Sequence, residues 1–351
     1  MVENYDIYKD SKNLLGKGSY SHVYLGKYKG NDNEYINKNH IIAVKIIETK
    51  SMTKKELLIL NDEINIMEII KKDPHPNIVK CYDIITTKDA TYIILEYCDS
   101  GDFRTILKRP IKEKYAQFYF SQLANGLRYL HAKNIIHRDI KPKNILISNG
   151  RKVLKIADFG FALQANEKTF YDNICGSPLY MAPEILTNKY YNKQTDLWST
   201  GMILYEMLFG FHPYDKCKTI SELKSFIDNK IIEIPPSNNQ NKDISPECLS
   251  LLGMLLQLNV RDRITWEEFF VHPWLATYQY LESNQSNYEK KIIATSVGSL
   301  ANENKFEMLG KNILTPKIQI IDNFLDSHEN DSNLGDVTHG TDGIFDFELT
   351  Q

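Results

Sequence analysis

Asp139, Lys141 and Asn144 fall in one short stretch, Ile136-His137-Arg138-Asp139-Ile140-Lys141-Pro142-Lys143-Asn144-Ile145-Leu146, and their side chains suit one kind of reaction. Phosphoryl transfer needs a group that orients the attacking hydroxyl and accepts its proton, with donors and metal ligands that neutralise charge on the transferred group. Asp139 fits the first role, Lys141 fits a contact to the γ-phosphate, and Asn144 offers an oxygen to a metal. Downstream, Asp158-Phe159-Gly160 adds a second hard oxygen suited to Mg²⁺, and Ala182-Pro183-Glu184 follows it. Each triplet alone reads equally well as a solvated turn. All of them in this order are not a coincidence of composition.

Upstream, Leu15-Gly16-Lys17-Gly18-Ser19-Tyr20-Ser21-His22-Val23 lies between two predicted strands. Glycines there let the backbone turn tightly and approach a phosphate. An ordinary hairpin turn is an equal reading of this segment by itself, and Ser21 stands where the usual pattern has a third glycine. The strand-loop-strand setting argues against dinucleotide binding, which needs a helix after the glycines. Ala43-Val44-Lys45 lies in the third predicted strand and Glu63 on the helix that follows. A lone strand lysine is more often at the surface, and a helical glutamate is more often solvated. After a Gly loop, the two together predict a cation held over nucleotide phosphates by a carboxylate partner.

The elements that must position these residues follow from periodicity. LLGKGSY, HVYLGKYK and HIIAVKIIE read as strands, with the polar loop GNDNEYINKN between the second and third. From Lys54 to Lys72 the residues Leu57, Leu60, Ile64, Met67 and Ile70 recur at helical spacing, and Pro74 and Pro76 stop the run. IVKCYDII and TYIILEY add two more strands, giving a small sheet with one helix. After Gly101 the chain turns mostly helical, in KYAQFYFSQLANGLRYLHAK, TDLWSTGMILYEMLFG and SPECLSLLGMLLQL, with short strands NILIS and VLKIAD between the first two. A last helix ends near VHPWLATY, and no internal repeat is visible.

The bulk composition narrows the function classes. With 351 residues, 42% hydrophobic and 25% charged, the chain can bury a full core. A formal net charge of -3 and a pI near 6.3 give no strongly basic field, so nucleic acid is not expected as a partner. The five cysteines, Cys81, Cys98, Cys175, Cys217 and Cys248, show no metal spacing and predict reduced, mostly buried thiols in a cytoplasmic protein. MVENYDIYKD carries acids where an export signal needs a basic and then an apolar run, and Val2 excludes myristoylation. No membrane anchor is therefore expected.

With these motifs in hand, the chain resembles the eukaryotic protein kinase family over roughly Asp6 to Tyr278. The resemblance implies an α+β, two-lobed kinase fold: a small antiparallel β-sheet lobe with one helix over about 6–97, and a larger, mainly helical lobe over about 98–278. The kinase domain would then be 1–278, and 279–351 a polar C-terminal tail, partly ordered or linker-like. ATP and Mg²⁺ are the implied cofactors. Lys45 would hold the α/β phosphates and pair with Glu63, Asp139 would be the catalytic base, and Asn144 and Asp158 would bind Mg²⁺. Leu15, Gly16 and Gly18 would cover the nucleotide, while Val23, Ala43 and Leu146 would sandwich the adenine. Glu96 to Cys98 would supply hinge hydrogen bonds, Leu95 would guard the back pocket, and Asp102 would meet the ribose. Glu184 would pair with Arg263, and Asp196 would brace the catalytic loop from below.

Lys141 in HRDIKPKN, where tyrosine kinases have an Ala-Ala-Arg run, and Ser177 in GSPLY resemble serine/threonine kinases acting on proteins. KIADFGFA with CGSPLYMAPEIL is similar to the Unc-51-like, autophagy-initiating kinases. Those proteins carry a long spacer and a C-terminal partner-binding domain, for which the tail is too short. The resemblance therefore does not carry over to autophagy partners, and partner binding through the C-terminal tail is left open. Phe306-Glu307-Met308-Leu309 fits a loose pattern that binds ubiquitin-like autophagy proteins, although an apolar helical contact is the better reading.

Three positions depart from the family. Ser21 alters the Gly loop, and Val260 in NVRDR replaces a usual proline. Asn173 is the functional departure, because the family's loop threonine, whose phosphate pairs with the arginine before the catalytic Asp, is missing there. An amide brings no charge to Arg138, so the expectation is basal activity with the loop held by packing, and modification of Thr169 or Tyr171 is the alternative. A non-catalytic scaffold is the competing class. Such proteins usually lose one of Lys45, Glu63, Asp139, Lys141, Asn144 or Asp158, and all are present.

Overall fold

The computed structural model describes residues 3–18, 20–32, 36–165, 175–187, 191–229, 232–237 and 244–276. Thr169, Tyr171, Asn173 and the tail 279–351 with Phe306–Leu309 lie outside the described residues. The chain divides into two compact units, Met1–Phe270 and Val271–Gln351. In the second, the described stretch starts a helical turn in which the N–H groups of Leu275 and Ala276 donate to the carbonyl of His272.

The first unit begins with an antiparallel six-stranded sheet. Its strands are β1 (Tyr5–Ile7), β2 (Leu14–Lys17), β3 (Ser21–Tyr28), β4 (Ile41–Glu48) and, after helix α1 (Lys54–Lys72), β5 (Cys81–Thr86) and β6 (Ala90–Glu96). The order is β1-β3-β4-β6-β5, with β2 also paired to β3. Period-two alternation makes one face a core of Ile42, Val44, Ile46, Ile94, Tyr28 and Tyr5. The opposite face carries cross-strand rows that the register fixes: Val23, Lys45 and Ile93 in one, Leu25, Ala43 and Leu95 in the next. Helix α1 has the bounds its periodicity predicts. Thr53 and Glu56 close its first turn as a reciprocal capping box, satisfying N–H groups the helix leaves unpaired.

Two details differ from the predicted strands. β1 precedes the first of them and is held by pairing of Tyr5 with Tyr28 and a hydrogen bond from the Tyr5 hydroxyl to Asp83 at 3.3 Å. Only the second half of IVKCYDII joins the sheet. Its first two residues bond elsewhere: Ile78 is bridged to Ile156, and the Val79 N–H donates to the Ile156 carbonyl at 2.9 Å.

The helical part follows with α2 (Glu113–Ala132), β7 (Ile135–Ile136), β8 (Ile145–Ser148), β9 (Val153–Ile156), β10 (Leu163–Gln164), α3 (Pro183–Leu186), α4 (Thr195–Phe209), α5 (Ile220–Asn229), α6 (Pro246–Leu255) and α7 (Trp266–Val271). α4 is buried along nearly its whole length, and α6 crosses it closely at Gly201, where a Cβ would meet Leu256 and Leu255 atoms at 2.8 and 2.9 Å. Short ladders, β8 with β9 and β7 with β10, fix the loops between them. All five cysteines are free and buried, as expected. The fold is the two-lobed α+β architecture that the motifs imply.

Candidate active site

Three elements converge on Lys45. From β4 its Nζ lies 2.8 Å from Glu63 Oε1 on α1 and 2.8 Å from Asp158 Oδ1, just past β9. Burial pulls the Lys45 ammonium down, but the carboxylates of Asp158 and Glu63 outweigh it and hold it above its usual value. The same ammonium holds the Asp158 carboxyl well below the usual carboxylate range. Asp158 takes a left-handed backbone, φ 61°, unusual for a residue with a side chain, and its carboxyl is 52% exposed.

Arg138 and Asp139 sit in the loop between β7 and β8. Its backbone is braced by Asp196 at the start of α4, whose two oxygens accept from the N–H groups of His137 at 2.8 Å and Arg138 at 2.9 Å. Burial raises the Asp196 carboxyl while those two donors favour its anion. His137 is fully buried and its Nε2 bonds the Ala157 carbonyl at 3.0 Å. Arg138 adopts φ 63°, which turns the chain so that Asp139 follows into the site.

Asp139 is 4% exposed, and its two oxygens are used differently. Oδ1 accepts from the backbone N–H and the hydroxyl of Ser177, both at 2.9 Å. Oδ2 accepts from Asn144 Nδ2 at 2.8 Å and lies 2.9 Å from Lys141 Nζ, which also donates to Ser177 Oγ at 2.5 Å. Asn144 Nδ2 bonds the Asp139 carbonyl too, at 2.9 Å, which fixes the amide and leaves its Oδ1 as the atom chemically suited to a cation. Gly176 closes this contact: at φ 100° its Cβ position lies 2.4 Å from the Arg138 carbonyl, so only glycine fits.

The residues expected to face a nucleotide have these places. Val23, Ala43, Lys45 and Leu95 share the face of the sheet opposite its core. Gly16 pairs with Val23, and the Gly18 N–H donates to the Ser21 carbonyl at 2.8 Å, closing the hairpin, while Leu15 is 45% exposed. Leu146 on β8 is bridged to Asp102. Cys98 is buried, and the Glu96 carboxylate turns back to Lys155 Nζ at 2.9 Å and the Lys80 N–H at 3.2 Å. The Asp102 carboxylate is held by Arg104 in a two-pronged contact at 2.9 and 2.8 Å, so a ribose contact there competes with Arg104.

Asn144 Oδ1 and the exposed Asp158 carboxyl form a hard two-oxygen set that suits Mg²⁺ arriving with a nucleotide's phosphates. Among the described residues no group of three or more His, Cys, Asp or Glu is arranged to hold a metal by itself. In the helical part, Arg263 meets Glu184 with both prongs, at 2.8 and 2.9 Å, with side chains 0% and 5% exposed.

Several residues at the site carry little signal in the sequence. Lys155 was detectable as a charge inside the apolar run VLKIAD, and the structure gives it Glu96 and the Pro76 carbonyl. Tyr180 donates to both oxygens of Glu206, at 3.0 and 2.9 Å, across α4. Tyr191, in the unremarkable run KYYNK, accepts from Arg138 Nη1 at 3.0 Å.

The description of the protein kinase domain matches residues 9–275. Among curated proteins, the chain is 39% identical over 268 residues to serine/threonine-protein kinase atg1 of Dictyostelium discoideum, covering 74% of this chain and 38% of that protein. It is 41% identical over 262 residues to serine/threonine-protein kinase ULK3 of Xenopus laevis, covering 74% and 53%. A putative serine/threonine-protein kinase of Acanthamoeba polyphaga mimivirus is 33% identical over 351 aligned positions, covering 88% and 75%. The chain spans 38% and 53% of the first two relatives.

Proposed function

The chain belongs to the protein kinase family, and from that premise we propose that it transfers the γ-phosphate of ATP to serine or threonine hydroxyls of proteins, with Mg²⁺. The observation that carries this reading is the arrangement at Asp139. Its carboxylate is held on one side by Ser177, from the segment that would face a substrate, and on the other by Lys141 and Asn144. A substrate hydroxyl placed against Asp139 is oriented and relieved of its proton there, and Lys141 lies beside it to neutralise charge on the transferred group. Lys45, already paired with Glu63, would receive the α/β phosphates. Asn144 and Asp158 would hold Mg²⁺, which supplies charge neutralisation on the phosphates.

The remaining assignments belong to the same proposal. Leu15, Gly16, Gly18, Val23, Ala43, Glu96, Cys98, Asp102 and Leu146 would form the nucleotide site, 1–278 the catalytic domain, and 279–351 a tail able to bind partners. No described helix is long and apolar enough to cross a membrane, and we place the activity in the cytoplasm. The enzyme would be active without phosphorylation at the usual loop position, which Asn173 occupies. A radiolabelled γ-phosphate assay on a library of Ser/Thr peptides tests the reading: wild-type protein incorporates label and Asp139→Asn does not. Wild-type incorporation no higher than that of Asp139→Asn overturns it in favour of a non-catalytic scaffold.

A further inference from the structure

Arg138 is tied into the site at both its backbone and its side chain. Its Nε donates to the Phe161 carbonyl at 2.6 Å and its Nη1 to the Tyr191 hydroxyl at 3.0 Å. Tyr191 is 2% exposed, and its hydroxyl hydrogen-bonds the Cys175 thiol in turn. Cys175 is followed by Gly176, packed against the Arg138 carbonyl, and then by Ser177, bonded to Asp139. A closed ring of contacts results: Asp139, Arg138, Tyr191, Cys175, Gly176, Ser177 and back to Asp139.

We propose that Tyr191 is a positioning residue for the catalytic loop, its hydroxyl anchoring Arg138 and Cys175 together so that Ser177 stays on Asp139 without a loop phosphate. Both acceptors of the Arg138 side chain named here are neutral, a carbonyl and a phenol. Charge-assisted N–H···O contacts of this kind are stronger than neutral ones and need no added anion. An aromatic side chain has few rotamers to freeze, so a buried tyrosine is a low-entropy anchor. Burial keeps the Tyr191 hydroxyl protonated by raising it to about 12. It therefore accepts from Arg138 and donates to Cys175 at the same time.

The inference rests on the proposed phosphate-independent kinase activity and deepens it, and two arms separate their failures. In the first, the wild-type enzyme is treated with phosphatase. Retained activity is expected, and its loss overturns phosphate independence and the anchor with it. In the second, Tyr191→Phe removes the hydroxyl and keeps the ring. The expected result is a fall in kcat of roughly 10-fold with KM for ATP unchanged, because no nucleotide-facing residue is touched. The decisive comparison is the double-mutant cycle: in an Arg138→Ala background, Tyr191→Phe should cost nothing further. Rates are normalised to the fraction of molecules that binds a fluorescent ATP analogue, so a partly unfolded variant still reports. Wild-type kcat in Tyr191→Phe, or losses that multiply in the double mutant, overturns the anchor while leaving the phosphatase result standing.

Discussion

Ser177 donates twice to the same oxygen of Asp139, from its N–H and from its hydroxyl, both at 2.9 Å. The hydroxyl also accepts from Lys141 at 2.5 Å, so one atom links the proposed base to the cation beside it. Ser177→Ala keeps the backbone bond and loses the other two. With about 1–3 kcal/mol at stake for hydrogen bonds to charged groups, kcat should fall roughly 10- to 100-fold. ATP affinity should be unchanged, as fluorescent-nucleotide titration will show. An unaltered kcat means that the Ser177 N–H, with Asn144 and Lys141 on the other oxygen, holds Asp139 without the hydroxyl.

Lys45 contacts two carboxylates, and they are not equivalent. Glu63→Gln leaves the Asp158 contact and removes the charge on α1 that fixes the ammonium over the cleft. KM for ATP should rise and kcat fall, whereas Lys45→Met should abolish turnover. Chelating Mg²⁺ with EDTA should stop phosphoryl transfer by wild-type enzyme, and adding Mg²⁺ should restore it. Full activity in excess EDTA removes Asn144 and Asp158 from the metal role.

Glu184 and Arg263 form a buried two-pronged pair in the helical part. Arg263 also donates to the carbonyls of Gln194 and Gln257 and lies over the Trp198 ring, 5.3 Å from its centroid. Arg263→Met strands the Glu184 carboxylate in the interior. Removing one partner of such a pair typically costs about 3–5 kcal/mol, to be read as a lower urea midpoint at unchanged slope. A midpoint close to that of wild type means the Glu184 carboxyl finds other donors or a proton.

The residues proposed to react were legible in the sequence because the proposed chemistry dictates their types. Asp139, Lys141, Asn144, Asp158, Lys45 and Glu63 admit few substitutes for their tasks, and the strands and helices around them are periodic enough to place them. What supports them was harder to read. Tyr191 and Cys175 act through one hydroxyl and one thiol, and neither has a spacing that announces a partner. The Glu96–Lys155 pair joins the end of β6 to β9, a pairing no local pattern encodes. β1 escaped because three residues are too few for alternation to show. Helix α5 falls between two predicted helices without being one of them, its burial resting on Leu223 and Ile227 among polar neighbours.

Glu206 makes stability depend on pH. Burial raises its carboxyl to about 7, against 4.5 for the free group, and the Tyr180 hydroxyl that donates to both its oxygens offsets this only in part. The Tyr180 ring stands edge-on to His212, whose imidazole burial lowers to about 3, so no cation is offered from that side near neutral pH. Arg104 adds a positive charge toward Tyr180. Between pH 4.5 and 7 the folded protein therefore holds a proton on Glu206 that the unfolded chain has released. The sign follows: stability falls as pH rises through this window and levels off above it. Glu206→Gln keeps the shape of the protonated acid and removes the titration. Urea unfolding of both proteins from pH 4.5 to 7.5 should show the variant gaining on wild type with rising pH, by roughly 1–3 kcal/mol across the window. Comparing the pair cancels the other titrating groups, so parallel curves would show that Glu206 is already ionised in the folded protein at pH 5.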